Sequence, residues 1–570
     1  MVRKALALVM SATIVMSGCN SALTTVPTPP TTPTPTPTTS AKVIKHVVVI
    51  FDENISFDHY FGTYPNAANS DGTTFTAATG TTTPENYVKN PALLTANPNL
   101  NSQNQTAAAS GTGTPSAGNP FRLSVQQAGT GDQDHDYDTE QMAFDGGKMD
   151  LFPYSVGYAD STESANLATQ TNAPALANTT ALTMAYYDGN TVTALWNYAQ
   201  HYALNDHSFG STFGPSTPGA INLVSGQTNG VVTPDPSIAP NIASDIVADG
   251  QGGITLISDA DPTGDKCSST SANVSLSGKN IGDLLNAANV TWGFFEGGFD
   301  LTATNTNGTT GCGRTTGAVN IPNHPLKADY IPHHEPFQYY ASTANLNHNR
   351  PTAGVAIGAA DPSGANHQYD TSDFTTALAA GSIPAVSFLK APGFQDAHAG
   401  YSDPLDEQTW LVNTINAIEA SSLWPNTAII IAYDDSDGWY DHLTDIVNGS
   451  ATSFDKFNGA GSCLSSTTLP GPNSNGQPVQ GRCGHGPRLP LLVISPWAQK
   501  NYVDSTPTDQ ASITQFIEDT FLAGQRIGGG SFDATAGTLN NMFNFSNGAA
   551  APNPNVVKLN PTTGAVTSGN

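Results

Sequence analysis

Charge is scarce in this chain. Asp, Glu, Lys and Arg make up 11% of its 570 residues, about half the usual share. Positive charge is scarcest: 19 Lys and Arg stand against 46 Asp and Glu, for a formal charge of −27. With no basic patch to offset it, such a chain repels nucleic acid and anionic membrane surfaces, which excludes both as partners of the folded part. Cysteine is sparse as well, five in all, and no pair is spaced CxxC, so the common zinc and redox motifs are missing. Beyond the N-terminus no apolar run approaches a membrane span.

What is present is apolar enough for a core, 38% of residues, with 54 Gly and 40 Pro marking many loops. The N-terminus has the layout of an export signal: Arg3 and Lys4, an apolar stretch from Ala5 to Met16, then Ser17-Gly18-Cys19. A stretch of twelve residues is too short to span a bilayer. Small residues before a cysteine resemble a lipoprotein cleavage site, which makes residues 1–19 the signal and Cys19 the lipidated residue, although Met16 stands where Leu is usual. The expected location is the periplasm or cell surface, with the membrane touched only through that lipid. The other four cysteines, Cys267, Cys312, Cys463 and Cys483, are an even set in an exported chain, and neighbours pair as Cys267–Cys312 and Cys463–Cys483. Free or metal-binding thiols are the alternative.

Residues 20–42 are nearly all Thr, Pro, Ser and Ala, as in PTPPTTPTPTPTTS, and read as an extended tether. A folded domain is expected over 43–525, then a Gly/Asn-rich segment over 526–570. The runs IKHVVVIF (44–51), PAVSFLK (384–390), TAIIIAY (427–433) and LPLLVISP (489–496) are continuously apolar, the mark of strands buried on both faces. Helical spacing falls at Leu405–Ile418 and after Thr508, a candidate N-cap. Strands alternating with helices predict an α/β fold with a central, mostly parallel sheet, helices on both faces and long loop insertions.

In such sheets ligands bind at the carboxyl ends of strands. Asp52-Glu53-Asn54 follows the first run and Asp434-Asp435 the third. Carboxylates meeting at one rim repel unless a cation joins them, and oxygen ligands suit a hard divalent ion. Acidic residues at strand ends also serve as turn formers and caps, so both readings are open. In FGPSTPG (213–219), Ser216 stands just before a helix N-terminus, where backbone amides favour phosphate and a metal can activate a hydroxyl. A plain helix cap is the alternative. Several of the 13 histidines lie near aspartates that would keep them protonated: His135 in DHDYDTE, His333-His334 before EPFQYY, His398 in FQDAHAGYSD and His442 after Asp441.

Six ordered segments, DENISFDHYFG (52–62), DGGKMDLF (145–152), FGPSTPG (213–219), HHEPFQYY (333–340), AYDDSDGWYDH (432–442) and GPRLPLLVISPWA (486–498), resemble the bacterial phosphoesterase family of acid phosphatases and phosphatidylcholine-type phospholipases C, within the alkaline-phosphatase-like superfamily. The resemblance implies one metal ion held by Glu53, Asn54, Ser216, Asp434 and Asp435, where Asp435 departs from a frequent Glu. It implies Ser216 as nucleophile through a phosphoserine, and His135, His334 and His398 around the phosphate. The His333/His334 pair is not resolved by sequence. Asp441 and His442 look like supporting residues. The substrate implied is a small phosphate ester or a phospholipid head group. Choline-type phospholipases often carry Thr at the nucleophile, a twin-Arg signal and C-terminal β domains, none of which this chain has, so a phosphomonoesterase of acid phosphatase type is expected. A phospholipase C or other phosphodiesterase is the alternative, and an inactive lipid-anchored binding protein the second. The aromatics of TWGFFEGGFD (291–300) suit either a choline pocket or a core strand.

Overall fold

The computed structural model describes residues 39–568 except 109–116, 158–174, 233–241, 320–325, 446–454, 456–478, 547–550, 552 and 555. Cys19, most of the tether and Cys463 lie outside the described residues. Eight strands form the central sheet: β1 (His46–Asp52), β2 (Ala203–Asn205), β3 (Trp292–Glu296), β4 (Gln368–Asp370), β5 (Val386–Lys390), β6 (Thr427–Tyr433), β7 (Leu491–Ile494) and β8 (Tyr502–Asp504). Their spatial order is β4-β3-β5-β1-β6-β7-β2-β8. All neighbours are parallel except those of β7, which runs against both β6 and β2. LPLLVISP is therefore the sheet's antiparallel member.

The apolar runs become central strands because most of their side chains on both faces are excluded from water. Every residue of β3, β5, β6 and β7 is buried, so both faces of the sheet are covered. The helices fall into two packed groups. Helix α3 (Thr193–His201) packs on α6 (Pro404–Ala420), while α4 (Ser216–Ser225), α5 (Ile281–Ala287) and α7 (Gln510–Phe521) pack on one another. Asp403 caps α6 by accepting from the amides of Leu405 and Asp406, with Pro404 in the first turn. Asp509, rather than Thr508, caps α7: its carboxylate accepts from the Ser512 amide at 3.1 Å. TWGFFEGGFD is settled as core: Trp292, Phe294 and Phe295 are buried in β3.

Residues beyond 525 join the same core, with Leu539, Met542, Phe543, Val557 and Leu559 buried in it. Asn416 of α6 donates to the Leu559 carbonyl at 2.8 Å. Cys267 and Cys312 form a disulfide with Cα atoms 5.3 Å apart, and Cys483 is also disulfide-bonded.

Candidate active site

The parallel pairing of β1 and β6, with Asp52 opposite Tyr433, brings the two acidic turns side by side. The Asp434 amide donates to Asp52 O at 3.2 Å, and the Ile55 amide to Asp435 O at 2.9 Å. Asn54 takes a left-handed backbone, φ 62°, which asparagine tolerates better than most residues. That turn swings its side chain so that Nδ2 donates to Asp437 Oδ1 at 3.0 Å.

Ser216 is the first residue of α4, one position further into the helix than expected. Two features seat it. The Gly214 amide donates to Glu140 Oε2 at 2.9 Å, and Ser436 donates to Glu140 Oε1 at 2.8 Å, so a buried glutamate of α2 (Tyr137–Phe144) ties the serine turn to the acidic turn. At Gly219 a Cβ would stand 2.1 Å from the Asp434 carbonyl oxygen, so only glycine lets α4 come this close. Ser216 Oγ then lies 2.9 Å from Glu53 Oε2, 3.1 Å from Asp435 Oδ2 and 3.3 Å from Asn54 Oδ1. One hydroxyl proton faces three acceptor oxygens, all buried.

Asp434 is oriented differently. Its Oδ1 accepts from the amides of Asn54 and Asp435 at 3.0 and 2.8 Å, and its Oδ2 faces Lys390 Nζ at 3.4 Å. Lys390, the last residue of β5, also contacts Glu53 Oε1 closely. Burial opposes the Lys390 ammonium, yet Glu53, Asp434 and Asp396 together raise its pKa. Burial likewise opposes the Asp434 carboxylate, but Lys390 and its donors hold it below the usual range. Glu53 and Asp435 are pushed up, first by burial.

The histidines divide. His135 Nδ1 is 2.8 Å from the Gln133 carbonyl, which can only accept, so Nδ1 carries a proton. Its Nε2 lies 3.9 Å from Asp435 Oδ2. Burial works against the imidazolium, but Asp435, Asp437 and Asp132 outweigh it and raise its pKa well above the ordinary value. His334 Nδ1 is 3.3 Å from Glu53 Oε1, whereas His333 Nδ1 is 3.3 Å from Asp261. Of the pair, His334 faces the serine's surroundings. His398 Nδ1 donates to Ala399 O at 2.5 Å, its ring centroid 6.4 Å from that of His135. Burial lowers His334 well below the ordinary value and His398 to about 4. Neighbouring aspartates keep a charge on His135, whereas burial, joined by nearby cations such as Lys390 and Lys327, removes it from His334 and His398.

Asp441 and His442 belong to a separate cluster. Arg488 Nε donates to Asp441 at 3.0 Å and its Nη2 to Asp58 at 3.1 Å, while His442 Nδ1 is 2.6 Å from Asp58 Oδ2. Arg488 is wholly buried over the Phe57 ring.

Among the described residues, three groups of His, Cys, Asp and Glu lie close enough to share an ion, and none suits one. Cys267 of the Asp265/His348 group is bridged to Cys312. Arg488 fills the Asp58/Asp441/His442 group. His135 reaches Asp132 and Asp437 through Nδ1, the nitrogen already bound to Gln133. The oxygens around Ser216 are the better donor set for a hard cation. Glu53, Asn54, Asp435 and the serine supply four, with more acceptor capacity than the protein's own proton can satisfy.

A model of the phosphoesterase family matches residues 44–522. The chain belongs to the phosphoesterase family. It is similar to a non-hemolytic phospholipase C of Pseudomonas aeruginosa, 30% identical over 181 residues that cover 31% of this chain and 25% of the relative. A non-hemolytic phospholipase C of Burkholderia pseudomallei is 31% identical, with 29% and 23% covered. A non-specific phospholipase C6 of Arabidopsis thaliana is 27% identical, with 27% and 29% covered. The match thus spans about a quarter of the length of the bacterial relatives. A murine ectonucleotide pyrophosphatase/phosphodiesterase 5 structure aligns at 12% identity and a TM-score of 0.26, covering 62% of this chain and 95% of that one.

Lys390, Asp396, Asp437 and Glu140 escaped the sequence reading. Lys390 had one visible signal: a lysine closing the apolar run PAVSFLK at a strand's carboxyl end, where a charge needs a partner. Asp396 and Asp437 sit in polar loops and Glu140 on α2, none in a pattern that sets it apart.

Proposed function

We propose that this protein is a metal-dependent phosphoric ester hydrolase that uses Ser216 as nucleophile, and that it is a phosphomonoesterase of acid phosphatase type. The observation that carries the reading is the Ser216 hydroxyl, at the start of α4, within hydrogen-bond distance of Glu53, Asn54 and Asp435, with the cationic ring of His135 beside Asp435. A divalent ion held by Glu53, Asn54, Ser216 and Asp435 would supply charge to ionise the hydroxyl and to neutralise the phosphoryl oxygens. Asp434 contributes by fixing the turn and Lys390 by tying Glu53 to it.

The chain's own groups then divide the work. Ser216 Oγ bonds to phosphorus and releases its proton toward the flanking carboxylates. His135, protonated at both nitrogens, donates from Nε2 to the leaving alcohol oxygen as the P–O bond breaks. His398, neutral and with its Nδ1 proton committed to Ala399, takes a proton at Nε2 from the water that attacks phosphorus, while the P–Oγ bond breaks and Ser216 recovers its proton from the flanking carboxylates. The amides at the start of α4 favour negative charge on the transferring group.

The similarity to phospholipases C favours a second reading, a phospholipase C or other phosphodiesterase. Turnover of p-nitrophenyl phosphate against p-nitrophenyl phosphorylcholine, with and without a chelator, separates them. Higher kcat/KM on the monoester, lost with chelator and restored by a divalent ion, is expected. A preference for the choline diester selects the second reading, and no turnover of either selects an inactive binding protein. The export signal ending at Cys19 belongs to the same proposal, with the enzyme held outside the cytoplasm by its lipid.

A further inference from the structure

Lys327 lies across the rim of the histidine cluster. It belongs to a short strand, Lys327–Ala328, that pairs with Thr315–Thr316 and packs on the turn Gly393–Gln395. Gly393 leaves room for its stem: a Cβ there would stand 2.6 Å from the Ala328 carbonyl and 3.4 Å from Lys327 Cγ. The ammonium ends over the Tyr401 ring, 4.1 Å from its centroid. Tyr401 also stacks on His398, centroids 4.2 Å apart at 24°, and donates to Asp396 Oδ2 at 3.3 Å. With His398 stacked on the ring and Lys327 over it, the face that Lys327 covers is not open to a ligand. The line Lys327–Tyr401–His398–His135 therefore leads from the half-exposed rim to the acid beside Ser216. Phe51 lies under Lys390 and Trp439 is stacked on His59, so these nearby rings are also engaged.

A quaternary ammonium is recognised by open aromatic faces and repelled by a fixed positive charge. We propose that Lys327 is a specificity-determining residue: it closes the Tyr401 face and sets a positive charge at the rim, so the site takes phosphate esters with neutral or anionic substituents and rejects those carrying a quaternary ammonium. This rests on the phosphoric ester hydrolase reading and adds to it the residue that selects the substrate class.

The test is binding, which does not depend on turnover. Ethyl phosphate and phosphorylcholine share the phosphate and differ in the terminal group. Calorimetric titration of the full chain with each is expected to show ethyl phosphate bound about tenfold tighter, as one like charge within several ångströms implies. In Lys327→Met, which keeps the stem and loses the charge, the ratio should fall to about twofold or less, and in Lys327→Arg it should persist. An unchanged ratio in Lys327→Met, no preference in the wild type, or no binding of either ester overturns the proposal. Thermal melts of the variants matching the wild type exclude unfolding as the cause. Failure of the wild type to turn over p-nitrophenyl phosphate while the binding ratio behaves as expected counts against the hydrolase reading and leaves Lys327 in its role.

Discussion

Two acidic clusters stand at neighbouring turns of this molecule, and they balance their charge in opposite ways. In one, Asp58 and Asp441 close on Arg488, whose guanidinium meets both carboxylates and the carbonyls of Glu85 and Asp206. In the other, Glu53, Asn54 and Asp435 converge on a serine hydroxyl that brings a single proton, and the one buried lysine nearby reaches Glu53 from the far side. Both begin as acids just after a buried strand. The difference is whether the chain brings its own cation. A closed cluster fixes a fold, because every charge has a permanent partner. An open one has something left to bind.

The sharpest way to break this contrast is to remove the centre of each cluster. Ser216→Ala should cut kcat on p-nitrophenyl phosphate by roughly 10³-fold or more and leave the melting temperature within a degree or two. A variant of near-normal activity sinks the nucleophile. Arg488→Met should do the reverse. It strands Asp58 and Asp441 in the interior, which costs about 3–5 kcal/mol of stability, read as a large fall in the denaturation midpoint. If Arg488→Met melts like the wild type, the cluster is not the pin described here.

A smaller change tests how closely the open cluster is assembled. Gly219→Ala adds a methyl group where the Asp434 carbonyl oxygen would be 2.1 Å away, so α4 must shift and carry Ser216 with it. A displacement near 1 Å costs about 10²-fold in rate, while overpacking costs about 1–3 kcal/mol. The expected signature is a fall in kcat greater than any change in KM. Equal activity would mean that α4 has slack the distances do not suggest.

Much of the frame was legible in the chain. The four apolar runs hold the strands β1, β5, β6 and β7, because a run without polar residues at every second position has no solvent face to alternate toward. Their direction was not legible: β7 is as apolar as β6 and runs against it. The acids after β1 and β6 could be paired, since parallel neighbours end on the same side. The histidines could not be sorted. His333 and His334 are adjacent and chemically identical, and only the 3₁₀ turn Pro332–His334 decides that one meets Asp261 and the other Glu53. Protonation was misjudged for His334 and His398 because burial, a property of the whole fold, outweighs the neighbouring acids that the sequence displays. Lys390 shows the same limit: a lysine ending a strand is visible, but its two partners lie in the turns that follow two other strands.

A third way of housing a buried acid gives the smallest and most diagnostic effect. Glu419 of α6 meets neutral hydrogen-bond donors. Its Oε1 accepts from Tyr202 OH at 2.7 Å and from the Val557 amide at 3.4 Å. Burial raises its pKa from the ordinary 4.5 to about 7, against smaller lowering by Tyr202 and Lys558, so here the compensating cation is a proton. Between those two values the folded protein holds the proton and the unfolded chain has released it. Folding stability from this group is therefore complete below pH 4.5 and declines as pH rises toward 7, by about 1 kcal/mol per pH unit. Glu419→Gln removes the titration while keeping an acceptor for Tyr202. Denaturation midpoints at pH 5, 6 and 7 should fall less steeply in the variant than in the wild type. Parallel curves would mean that Glu419 is ionised in the folded state, and that the interior tolerates a carboxylate with neither metal, guanidinium nor proton to meet it.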